Sequence, residues 1–84
     1  MDAYINTKRM TFELPDGTIF GTESTKDYKF CLAYKSNDTY VVESLFKTMK
    51  GILARIDYLR RINWTIELFI VERKSKEYIY REVK

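Results

Sequence analysis

The apolar residues of this chain change period twice. Up to residue 43 they alternate every second position, from 45 to 59 they recur every three or four, and from 64 onward alternation returns. A period of two lines one face of a strand and a period of 3.6 lines one face of a helix. The order is therefore strands, one helix, strands, and the class is α+β.

Turn chemistry divides the first block. In LPDGT, Pro15 presets φ, Asp16 can bond its own backbone and Gly17 tolerates a positive φ, so residues 9–14 and 18–22 form a hairpin around it. The stretch YKFCLAYK sets Tyr28, Phe30, Leu32 and Tyr34 against Lys29, Cys31, Ala33 and Lys35, the pattern of a half-buried strand. SND then turns the chain, and the valines of the next segment complete a second hairpin over residues 28–43.

Leu45, Met49, Ile52, Ile56 and Leu59 share one narrow arc at 100° per residue, with Leu53 at its edge. Ser44 or Thr48 suits the N-cap of this helix, and Asn63 suits its close. Beyond it, WTIELFIVE is apolar on both parities, as expected of a central strand covered on both faces. RKSKE breaks that pattern, and YIYREV reads as an exposed edge strand closing a third hairpin.

These elements predict a single small domain over residues 1–84: an antiparallel sheet of five or six strands in the order hairpin, hairpin, helix, hairpin, with one amphipathic helix packed on one face. One helix cannot cover so wide a sheet. The second face is then polar or meets another subunit, and the two-sided apolar pattern at residues 68–71 favours a homodimer.

Residue types narrow the chemistry. The chain has no His, which excludes Ser/His, Cys/His and His-metal arrangements, and its single Cys31 can form neither an intrachain disulfide nor a thiolate zinc cluster. Cys31 reads as a small strand hydrophobe. Pro15-Asp16 and Glu72-Arg73-Lys74 loosely resemble the Pro-Asp and Glu-x-Lys elements of metal-dependent nucleases, but Asp16 belongs to a turn and cannot converge with Glu72 on a metal. No catalytic set, metal or cofactor is expected.

The opening MDAYINTKRM lacks the charged and apolar regions of a signal peptide, and the longest uncharged apolar run, LFIV, is far shorter than a bilayer. A reducing, cytoplasmic setting without a membrane is expected, the host cytoplasm if the chain is of phage origin. The two N-x-T triplets, at Asn37 and Asn63, carry no meaning in that setting.

Two surfaces stand out. On the helix, Lys47, Lys50, Ala54, Tyr58 and Arg61 lie opposite the apolar arc and Arg55 and Arg60 flank it, while Asp57 is placed to pair with Arg61 one turn on. Gly51 falls on the same polar side, where an exposed helix tolerates it. Tyr58 on that helix, and Tyr78 with Tyr80 on one parity of the last strand, are exposed aromatics of the type enriched at protein interfaces.

A net charge of +3 permits nucleic acid without the dense basic stripe that indicates it. The reading is a small non-enzymatic module that binds and modulates a partner protein through Tyr58, Tyr78, Tyr80 and Arg61. In composition, rich in Lys, Ile and Tyr, it is similar to accessory proteins of phages and mobile elements. The alternative is a nucleic-acid binder using Lys47, Lys50, Arg55 and Arg61 of helix 47–62, or the sheet. Against it, Glu13, Glu43, Glu67 and Glu82 interrupt any basic row along the strands.

Overall fold

A computed structural model describes the backbone of residues 3–83 and the side chains of residues 6–80. Glu82 therefore lies outside the described side chains. The elements run β1 (Ala3–Glu13), β2 (Ile19–Ser24), β3 (Phe30–Ser36), β4 (Thr39–Phe46), α1 (Met49–Arg61), β5 (Leu68–Glu72) and β6 (Ser75–Val83). The class is α+β with six antiparallel strands and one helix. The strands divide into two three-stranded sheets, β2-β1-β6 and β4-β3-β5.

The first two hairpins form as their turn residues require. Gly17 holds φ at +90° and Asn37 at +56°, conformations that Gly and Asn adopt at least cost. The third hairpin does not form. β5 pairs with β3, whereas β6 crosses to β1, with Ala3 opposite Val83 and Thr11 opposite Ser75. Periodicity cannot see this, because it reports faces and not partners.

The two sheets stack, and the helix lies on the far side of the second. Met10, Phe12 and Leu14 of the first hairpin meet Cys31 and Ala33 of β3 in one core. Leu32 meets Ile52 and Leu59 of α1 in the other, bordered by Phe30, Phe46, Ile56, Trp64 and Leu68. So β3 is the strand covered on both faces. β5, expected to be that central strand, is an edge and begins only at Leu68, with Ile66 and Ile70 exposed. The second face of the inner sheet is filled by the chain's own first hairpin, which removes the uncovered face on which the homodimer was argued.

A bulge in β4 reconciles its two cores. Leu32 pairs with Ser44 and Ala33 with Val42, which leaves Glu43 as an extra residue. Val42 and Leu45, of opposite parity, then both face the first hairpin. Glu43 meanwhile turns to the helix, where Arg55 donates to it through Nε at 3.0 Å and through Nη2.

α1 starts one turn later than its earliest possible cap. Thr48 is the N-cap, accepting from the Gly51 amide at 3.1 Å. Leu45 consequently belongs to β4, Lys47 precedes the helix, and Met49 is 42 % exposed instead of packed. The helix closes as expected on Asn63, whose φ of +64° lets its own amide reach the Arg60 carbonyl at 3.1 Å and the Trp64 amide reach Leu59 at 3.0 Å. Gly51 is half-buried, not exposed: a Cβ there would stand 3.3 Å from Thr48 Oγ1 and 3.4 Å from the Phe46 ring. Among the described residues no helix is long and apolar enough to cross a membrane.

Candidate partner-binding surface

β1 has eleven residues, more than β2 can cover. The β1–β2 register ends at Lys8 opposite Ser24, but β1 and β6 continue together to Ala3 opposite Val83. Past the body of the molecule they form a two-stranded ribbon, and the chain measures 52 Å along its longest axis against 18 Å along its shortest.

One face of the outer sheet passes from core to open ribbon. Met10 and Phe12 point at the inner sheet, so by alternation Lys8 and Asn6 continue that face. Their cross-strand partners are Tyr78 opposite Lys8 and Tyr80 opposite Asn6, with Lys76 opposite Met10. Its tyrosines are open, Tyr78 50 % exposed and Tyr80 65 %, while Lys8 and Lys76 are half-buried.

The strip is aromatic and cationic together. Lys76 Nζ lies 4.9 Å and Lys8 Nζ 5.8 Å from the centre of the Tyr78 ring, within cation–π range. Lys8 also donates to the Thr25 carbonyl at 2.9 Å, and Lys76 to Asp27 Oδ2 at 3.3 Å. Asp27 in turn accepts from Arg73, which holds the Tyr28 carbonyl at 3.0 Å. Desolvation pushes the Asp27 carboxyl up, but the hydrogen bonds from Arg73 and Lys76 outweigh it and hold the group below its ordinary range. Contact with Tyr78 raises Lys76, against desolvation and with help from Asp27. Two cations, Arg73 and Lys76, thus bracket the Asp27 carboxylate at the base of the ribbon, with Lys8 across the Tyr78 ring.

The other expected site residues lie elsewhere. Tyr58 is 50 % exposed on α1 with the Arg55 guanidinium 5.1 Å from its ring, and Arg61 is paired with Asp57 at 2.8 Å. Because α1 and the outer sheet occupy opposite faces of the inner sheet, Tyr58 and Arg61 do not share a surface with Tyr78 and Tyr80. The basic row is likewise broken. Lys47 and Lys50 are exposed and carry no ion pair among the described residues, but Arg55 is held by Glu43 and Arg61 by Asp57. Glu43 is pushed up by desolvation and pulled further down by Arg55 and Ser44, so that pair stays charged.

Lys8 and Lys76 were not singled out from sequence. Their signal was the pairing of β1 with β6, and assigning the last strand to a local hairpin hid it.

Among the described residues no three His, Cys, Asp or Glu side chains converge. Asp16 is occupied by its own turn, accepting from the Thr18 amide at 3.0 Å, and that backbone bond lowers its pKa. Cys31 is buried, and burial pushes its thiol up to about 11, away from the thiolate that redox or nucleophilic chemistry needs. The described residues of α1 and its exit form one shallow open pocket lined by Arg60, Asn63, Trp64 and Thr65. Comparison with family models, with curated proteins and with solved structures finds no match to this chain.

Proposed function

We propose that this chain is a non-catalytic protein-interaction module that grips a partner protein through the open face of the β1–β6 ribbon. The observation that carries the reading is the continuation of a core-facing sheet surface into a strip where exposed Tyr78 and Tyr80 stand beside half-buried Lys8 and Lys76. An isolated two-stranded ribbon is marginally stable in water, and a surface laid against it supplies the missing layer. Tyrosines give that surface large contact area at low entropic cost, and the lysines select a partner with acidic groups beside its apolar ones.

Affinity capture of the tagged chain from its native host, with identification of the bound protein, tests the reading when paired with a Tyr78→Ala, Tyr80→Ala variant. Loss of a central interface anchor costs about 2 kcal/mol or more, roughly 30-fold in affinity, so the variant should release the partner while keeping its strand signal. Equal recovery of the partner by both proteins would remove the ribbon from the interface.

A further inference from the structure

β5 is an unblunted edge of the inner sheet. It bonds to β3 on one side, and its other side is the end of the inner sheet. Natural edges are blunted by inward charges, Lys, Pro or bulges. β4, the opposite edge, carries the bulge at Glu43, and β6 carries Lys76 and Glu77, but LFIVE has no bulge and no charge before its last residue.

The helix leaves that edge uncovered. α1 is fastened toward β4 by the Arg55 pair with Glu43 and by Gly51 beneath Phe46. Met49, Leu53 and Arg60 lie on the other side of the helical wheel, the side turned away from β4. Leu68, Ile70 and Glu72 lie on the same side of the sheet as the helix, since they stand opposite Tyr34, Leu32 and Phe30 of β3. Met49, Leu53 and Ile70 are each two-fifths or more exposed.

We propose that a second copy of this chain occupies the edge, β5 pairing antiparallel with β5′ about a two-fold axis at Ile70. The charges select the occupant and the register. Among the described residues Glu72 and Arg60 form no ion pair, and Arg60 stands beside Trp64, which packs in one cluster with Leu68. With Ile70 opposite its symmetry mate, Glu72 of the second copy falls opposite Leu68 and under Arg60, and the two-fold repeats the pair at the other end. A one-residue slip would set helix-side residues opposite residues of the other face, and a two-residue slip would carry Glu72 away from Arg60. The two inner sheets become one six-stranded sheet with both bare edges removed. This seam does not depend on the ribbon and would leave both ribbons free.

Sedimentation equilibrium at micromolar to hundred-micromolar concentration, with circular dichroism to confirm the fold, tests the seam. The unmodified chain should reach twice 10.1 kDa. Glu72→Arg, which sets two cations together, should dimerise at least about tenfold more weakly, and adding Arg60→Glu should restore the dimer. Ile70→Lys, which buries a charge at the axis without touching Glu72, should be monomeric, while Tyr78→Ala, Tyr80→Ala should keep the dimer. A monomer at every concentration, a dimer indifferent to Glu72→Arg or Ile70→Lys, a charge swap that fails to recover association, or a dimer lost with the tyrosines would each overturn the proposal.

Discussion

Cys31 and Leu32 are neighbours in β3, both wholly buried, and they point into different cores. Cys31 lies against the first hairpin and Leu32 against the helix. The inner sheet is therefore the shared middle layer of a sheet, sheet, helix stack, and β3 is its spine.

The thiol should accordingly be inert in the folded chain. Burial that raises the Cys31 pKa to about 11 removes both access and thiolate at neutral pH. A thiol reagent should modify it at the rate of global opening, accelerating steeply in denaturant. Fast labelling of the native chain would show that the first core is not closed.

Stability should follow the layers and not the helical wheel alone. Ile52 is fully buried and Ile56 only partly, so Ile52→Ala should cost roughly 2 to 5 kcal/mol and Ile56→Ala clearly less. Thr48→Ala removes the cap and should cost about 1 kcal/mol. Replacing Lys47 and Lys50 by Gln should stay within about 0.5 kcal/mol, as both are exposed. Denaturant midpoints would check the order, and a larger loss at Ile56 than at Ile52 would mean that α1 is rotated.

Acid should weaken the fold through two carboxylates. Glu43 and Asp27 have lowered pKa values in the folded chain, so their contribution is present at neutral pH, begins to fall near the ordinary carboxylate value of about 4, and is lost as the pH drops through the folded values. Melting temperature measured between pH 7 and pH 2 should decline over that window. Glu43→Gln should flatten the decline while lowering stability at pH 7, because Arg55 then lacks its partner. An unchanged acid limb in that variant would assign the pH dependence elsewhere.

Both turns, the helix and its Asn63 close were legible because each rests on local chemistry: Gly17 and Asn37 at positive φ, and an apolar arc ending at Leu59. The partner of β6 was not, since residues 64 residues apart, such as Thr11 and Ser75, leave no local trace of their pairing. The bulge at Glu43 was hidden for a related reason. It turns a regular alternation into two faces that only the opposite strand defines. Tyr78 and Tyr80 were found on parity alone, but their lysine neighbours came with the unforeseen strand pairing. The separation of Tyr58 from them depends on layer order, which no single segment encodes.

On the proposed reading the partner meets the ribbon and not the back of the helix. A photoreactive phenylalanine analogue placed at position 80, and in a separate chain at position 58, measures this directly when the two are irradiated in the native host. Position 80 should yield one discrete adduct with another protein, heavier than two linked copies of the chain, and Lys8→Glu should diminish it because the strip then loses a cation. Strong labelling of a protein or of nucleic acid from position 58, with none from position 80, would contradict the account.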